Sequence, residues 1–80
     1  MTLLVPAQKA VDEVAEELVR ALQRYPSFRS DHEGYAILLE EVEELWAEVK
    51  KRPTDRSLAA LRAEAAQVAA MALRFMIDLT

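Results

Sequence analysis

An acidic run in the middle of the chain contains the side chains best suited to chemistry. Glu41 and Glu44 are three residues apart in a segment rich in helix-forming residues, and Glu64 follows in the next such segment. Residues three apart on an α-helix project from the same side, so these two carboxylates would point the same way. Carboxylates on neighbouring helices are how helical bundles hold hard cations such as Mg²⁺. The alternative interpretation is a solvated acidic helix face.

Length and composition predict a single small all-α domain. The 80 residues include one Gly, three Pro and no Cys, whereas Ala, Leu and Glu are abundant, as is typical of helices. The lack of Cys excludes disulfides and thiolate metal sites and fits a reducing compartment. A core of this size rarely contributes more than about 3–5 kcal/mol, so we expect subunits to associate.

The net charge and the hydropathy of the chain limit the kinds of partner that we expect it to bind. The net charge of −4 argues against binding to DNA or RNA, although a small phosphorylated ligand could bind through a divalent cation. The first residues lack the basic and apolar regions of a signal peptide. The most apolar region, near the C-terminus, contains charged residues, which argues against a membrane span. We therefore expect a cytoplasmic protein.

Apolar periodicity and turn residues predict three helices, at about 6–24, 31–52 and 55–79. Pro26 follows the first helix, and Ser30 and Glu33 have the spacing of a capping box at the start of the second. Pro53 should end the second helix, and Thr54 or Asp55 should cap the third. The short turn predicts that helices 2 and 3 form an antiparallel hairpin.

Helix 3 is apolar around most of its circumference, which predicts burial on nearly all sides. Two neighbouring helices in a chain of this length cannot cover it. We therefore predict a homodimer or homotetramer with helix 3 at the subunit interface, in the manner of a helical bundle. The apolar positions responsible are Leu58, Leu61, Val68, Met71, Leu73, Phe75, Met76, Ile77 and Leu79, together with the alanines between them.

The hairpin predicts that the carboxylates converge. At about 100° per residue, Glu41, Glu44 and Glu64 fall on the same side of the helix pair. Counting outward from Pro53 places Glu44 level with Glu64 and Glu41 level with Gln67. Three carboxylates and one amide would then form a box of oxygen donors. Like charges so close should raise at least one pKa, and a bound Mg²⁺ would remove the conflict.

The motif Glu40-Glu41-x-x-Glu44 followed by Glu64-x-x-Gln67 resembles that of the MazG-like, all-α nucleoside triphosphate pyrophosphohydrolases. The hallmark of that family is Glu-Glu-x-x-Glu on one helix and Glu-x-x-Asp on the next. The resemblance covers about residues 25–79 and is closest to the small bacterial and phage members. The departure is Gln67, because an amide keeps an oxygen donor but removes a negative charge.

The resemblance implies a Mg²⁺-dependent enzyme, dimeric or tetrameric, that hydrolyses a nucleoside triphosphate to a monophosphate and pyrophosphate. By position, Glu41, Glu44 and Glu64 would be metal ligands with Gln67 at the fourth corner. Glu40 would be the catalytic candidate, as a carboxylate that either supports the ligands or activates water. The amide at Gln67 predicts weaker Mg²⁺ binding and slow or absent turnover. The alternative, from another class, is a non-catalytic helical oligomerisation or interaction module with a solvated acidic face.

A few further residues have two interpretations each. Lys50 and Arg74 are candidate substrate-binding residues, although Lys50 also suits a helix C-terminus and Arg74 could pair with an acid. His32 could contact a nucleotide but is more typical of a surface position. Trp46 and Tyr35 could stack on a base. Because they fall on the flank away from the glutamates, packing in a core or interface is the favoured interpretation.

Overall fold

Three α-helices make up the computed structural model, which describes residues 2–80. They are α1 (Val5–Arg24), α2 (Asp31–Val49) and α3 (Leu58–Leu79), and a short 3₁₀ helix, Pro53–Asp55, connects the last two. No strand occurs in residues 2–80, so the all-α prediction is confirmed. None of the helices in this range combines the length and apolar composition needed to cross a bilayer.

The start of α2 is capped as its sequence predicts. The Ser30 side chain accepts a hydrogen bond from the main-chain N–H of Glu33 at 3.1 Å. The reciprocal half of the capping box differs, because the Glu33 carboxylate accepts from the main-chain N–H of Arg29 at 3.2 Å rather than from Ser30. The acidic first turn of α2 also suits the positive end of the helix dipole.

The turn between α2 and α3 is longer than predicted. α2 ends at Val49, and Arg52 is extended, with φ −58° and ψ 147°, because a residue before proline avoids helical geometry. The predicted caps of α3, Thr54 and Asp55, are wrong: both lie in the 3₁₀ helix. Ser57 is the cap, and its side chain accepts from the N–H of Ala60 at 3.1 Å.

α3 lies between the other two helices. Both α1 and α2 pack on it, whereas α1 and α2 keep all their Cα atoms more than 8 Å apart. The buried core along α3 is narrow, and it is formed by Ala21, Ala70 and Met71 with Val14, Leu18, Phe28, Ile37 and Leu38 partly buried around it. This arrangement leaves an open cleft between α1 and α2, with α3 as its floor.

Two contacts hold the C-terminal half of α3 against its neighbours. A Cβ atom on Gly34 of α2 would lie only 2.7 Å from the Leu79 side chain and 2.9 Å from the Phe75 ring, so any side chain there would force these groups to move. Arg74 is buried and donates hydrogen bonds to the carbonyl oxygens of Ala21 at 2.5 Å and Tyr25 at 2.8 Å. The bond to Tyr25 satisfies a carbonyl just after α1, whereas the carbonyl of Ala21 also accepts from the main-chain N–H of Tyr25 at 3.1 Å.

Asp78 adds further hydrogen bonds to those by which Arg74 holds the end of α1. Its carboxylate accepts from Nε of Arg74 and from the main-chain N–H of Phe28, each at 3.0 Å. The bond from Phe28, with the help of Arg74, lowers the pKa of Asp78. The Arg74 guanidinium also lies 5.6 Å from the centre of the Phe28 ring, within range of a cation–π contact. The connection from α1 to α2 is thereby tied to α3.

Candidate metal centre

Glu41, Glu44 and Glu64 come together where α2 packs on α3. Each offers one carboxylate oxygen, and these oxygens all lie within 4.8 Å of one another. Glu41 and Glu44 project together because they are three residues apart on α2, and the packing of α3 on α2 adds Glu64. Glu41 and Glu64 are partly buried, whereas Glu44 is exposed.

The surroundings disfavour charge on two of these groups. Burial and, after it, the charge of Glu44 raise the pKa of Glu41 to about 7. Burial and the charge of Glu44 also raise the pKa of Glu64, with a smaller effect from Glu48. At least one raised pKa was expected from three neighbouring carboxylates. A cation between them would replace the repulsion with attraction.

The donor set fits Mg²⁺. This ion prefers carboxylate oxygens at about 2.0–2.1 Å, so two oxygens on one octahedral ion are separated by about 3–4 Å. The oxygens of Glu41, Glu44 and Glu64, within 4.8 Å of one another, reach such spacing through small side-chain rotations. Three carboxylates leave the remaining positions for water or phosphate oxygens.

Gln67 is turned toward α1. Its side-chain nitrogen donates a hydrogen bond to the carboxylate of Glu17, so its donor group is engaged with α1 rather than with the predicted neighbour Glu41. A hydrogen bond from Arg20, with help from Gln67, lowers the pKa of Glu17. An amide suits this position because it can donate to an ionised carboxylate, which an aspartate cannot.

The cleft between α1 and α2 has a volume of about 470 Å³, and Glu41 is the member of the carboxylate cluster that lines it. Acidic, basic and apolar side chains line it, so it suits a ligand with both charged and apolar parts. The acids are Glu17, Glu33, Glu40 and Glu41; the bases are Arg20, Arg24 and Arg74; the apolar residues include Tyr25, Phe28, Ile37 and Met71.

The remaining predicted site residues differ in their positions. Glu40 is exposed and lines the cleft next to Glu41. Arg74 also lines the cleft, but its guanidinium already donates to Asp78, Ala21 and Tyr25. Lys50 is exposed at the end of α2 and is not part of the cleft lining. The substrate-binding roles of Lys50 and Arg74 stay predictions.

His32 and Trp46 lie away from the cluster of Glu41, Glu44 and Glu64. The His32 side chain is exposed, and its Nδ1 lies 2.8 Å from the carboxylate of Asp31. Trp46 is 58% exposed on α2. The lining of the cleft includes neither residue.

Sequence reasoning missed two basic residues and one acidic residue. Arg20 and Arg24 of α1 line the cleft, and their spacing of one helical turn at the end of α1 is the signal that could have identified them.

Glu48 lies one turn beyond Glu44. One of its oxygens receives a hydrogen bond from Lys51 at 2.6 Å, and the other is buried without a partner among the described residues.

Comparison with protein-family models, with curated proteins and with solved structures gives no match to this chain. The likeness to MazG-like enzymes consists of the motif residues quoted above. Of these, Glu41, Glu44 and Glu64 form the cluster, Glu40 lines the adjoining cleft, and Gln67 lines it while bonded to Glu17.

Proposed function

We propose that this protein is a Mg²⁺-dependent nucleoside triphosphate pyrophosphohydrolase, which hydrolyses a nucleoside triphosphate to a monophosphate and pyrophosphate. The observation that carries the proposal is the convergence of Glu41, Glu44 and Glu64, whose oxygens lie within 4.8 Å of one another. Glu41 also lines an open cleft. Hard oxygen donors next to a ligand-sized cleft suit a metal-bound triphosphate.

Each side chain has a distinct role in this proposal. Glu41, Glu44 and Glu64 hold the ion, which when bound neutralises negative charge on the phosphoryl oxygens. Glu40, on the wall of the cleft, orients a water for attack and accepts its proton. Gln67, which stands where the family has Asp, adds no charge and is bonded to Glu17, so we expect weak Mg²⁺ binding and slow turnover.

Arg20 and Arg24 supply the positive charge that a triphosphate needs. Both line the cleft from α1, on the wall opposite Glu40 and Glu41 of α2. Arginine binds phosphate oxygens through a planar pair of donors. Arg20 is already paired with Glu17, so Arg24 is the more available of the two.

The proposal includes the predicted antiparallel hairpin of α2 and α3. Gly34, near the start of α2, packs on Leu79 at the end of α3, whereas Glu44, further along α2, meets Glu64 nearer the start of α3. The subunit would work in the cytoplasm as a homodimer or homotetramer. Exposed apolar residues of α3, such as Met76 and Ile77, support association through this helix.

Release of pyrophosphate from a panel of ribo- and deoxyribonucleoside triphosphates, with and without Mg²⁺, tests the proposal. Glu44→Gln should abolish turnover without unfolding the protein, because Glu44 is exposed. Glu43→Gln is the matched control, since it removes the same charge from an exposed position outside the cluster. Absence of turnover together with absence of a Mg²⁺-dependent thermal shift would leave the proposal without support.

The alternative function is a non-catalytic oligomerisation or interaction module. The observation that favours it is the number of large apolar side chains left exposed on α2, among them Tyr35 and Trp46. Such a module needs no metal, so its stability would respond equally to Mg²⁺ in the wild type and in Glu44→Gln.

A further inference from the structure

An apolar stripe runs along the exposed side of α2. Its members recur at alternating steps of four and three residues, and each is at least 38% exposed. They are Tyr35, Leu39, Val42, Trp46 and Val49; we call them the α2 stripe. Alternating steps of three and four are the spacing of a coiled-coil seam, in which one helix packs lengthwise against another.

The α2 stripe lies away from the carboxylates. At about 100° per residue, its centre is roughly 120° from Glu41 around the helix, whereas Glu44 is roughly 60° from Glu41 in the other direction. Gly34 and Leu38, which pack on α3 and the core, fall between the stripe and Glu41. No member of the stripe lines the cleft, so a partner on the stripe would leave the cleft open.

The chain exposes more surface than a compact monomer of the same mass, and a dimer would bury this excess. The accessible area is 6091 Å², whereas a folded monomer of 9.0 kDa exposes about 4,850 Å². The excess of about 1,200 Å² is more than the roughly 800 Å² that each partner buries in a standard interface. The radius of gyration, 13.8 Å, also exceeds the value of about 11.6 Å for a chain of this length.

We propose that a second copy of this chain packs its own α2 lengthwise on the α2 stripe, related by a two-fold axis. A two-fold interface brings the same patch from both subunits together. The stripe suits this because it contains no charged residue that would meet its own copy. Trp46 and Tyr35 supply large rings that are 58% and 62% exposed in the single subunit and would anchor the interface.

This interface is specific to α2 and does not rest on metal binding. It differs from the predicted interface through α3, because α3 is already covered on two sides by α1 and α2. Met76, 61% exposed on α3, is the α3 side chain to compare with the stripe. A substitution there reports whether α3 also contributes to the interface.

The test uses the only tryptophan, Trp46, as a probe that lies within the proposed interface. The full chain should sediment as a dimer at micromolar concentration, and Trp46 emission should shift to the red on dilution as the dimer dissociates. Val42→Glu should weaken the dimer at least about 100-fold in Kd, because burying an unpaired charge costs several kcal/mol. Ala47→Glu, at an exposed neighbouring position, adds the same charge outside the stripe and should leave the dimer intact.

Tyr35→Glu, at a more exposed position than Val42, repeats the test should Val42→Glu lower the helical circular dichroism. A wild-type chain that is monomeric at high micromolar concentration would overturn the proposal and leave the stripe to another protein. A dimer that survives both stripe substitutions but dissociates with Met76→Glu would also overturn it, in favour of α3.

Discussion

The stability of the metal-free protein should record the repulsion among its three clustered carboxylates. Burial and the charge of Glu44 raise the pKa of Glu41 from 4.5 to about 7. Between these values the native state binds a proton that the unfolded chain does not. Stability therefore falls as pH rises from about 4.5 to about 7, and above this range the contribution of the proton is lost. The raised pKa of Glu64 acts in the same direction.

The magnitude follows from the same values. One pKa unit corresponds to about 1.4 kcal/mol, so the rise from 4.5 to about 7 corresponds to about 3 kcal/mol without screening. Glu41 is partly exposed, and we take about 2 kcal/mol after screening by water. Glu41→Gln has no charge to lose, so it should be about 2 kcal/mol more stable than the wild type at pH 8 and about equally stable at pH 5.

Urea unfolding followed by circular dichroism, in a chelator and at one fixed protein concentration, measures this difference. The melting temperature should rise by about 8–16 °C at pH 8. Glu43→Gln, on the exposed side of the same helix, should change stability by less than about 0.5 kcal/mol at either pH. A Glu41→Gln protein no more stable than the wild type at pH 8, or equally stabilised at pH 5, would show that repulsion at Glu41 does not lower the stability.

Three further predictions follow from the same contacts. Mg²⁺ affinity, measured by calorimetry, should increase up to about tenfold for each unit that the pH rises toward 7 and should level off above pH 7. The reason is that Glu41 must lose its proton to bind the ion. An affinity that does not depend on pH would contradict this. Gln67→Asp should bind Mg²⁺ more tightly than the wild type, since it gives up the bond to Glu17 and adds a negative charge for the cation; an unchanged affinity would contradict this. Arg74→Met should lose at least about 2 kcal/mol in urea unfolding, because the Tyr25 carbonyl loses its donor and the buried Asp78 carboxylate loses its ion pair. The exposed Arg24→Met should lose little, and equal losses would count against the role of Arg74 at the end of α1.

Helix periodicity and turn residues were enough to predict the carboxylate cluster. The three-residue spacing of Glu41 and Glu44 follows from the α-helix itself, and the position of Glu64 depends only on how α2 and α3 pack. This prediction tolerated an error in the turn, where α3 begins at Leu58 rather than near Asp55. When a helix begins a few residues later but packs with the same face, each later residue still lies on the same side of the helix.

The features that sequence reasoning missed depend on α1. The pairing of Gln67 with Glu17 and the place of Arg24 in the cleft require knowledge of how α1 lies on α3, which local patterns do not contain. Arg74 is a related case: its charge in an apolar helix suggested a pairing role, but the main-chain carbonyls that it binds belong to a distant segment. Long-range packing, rather than propensity, decides such contacts.

The most direct test of the central claim is the position of a bound divalent cation. Crystals grown with Mn²⁺, which takes the same oxygen ligands as Mg²⁺, would locate the ion by its anomalous scattering. We expect a single strong peak about 2.0–2.2 Å from carboxylate oxygens of Glu41, Glu44 and Glu64, absent in Glu44→Gln and present in Glu43→Gln. A peak elsewhere, or none at millimolar Mn²⁺ with the three side chains apart, would contradict it.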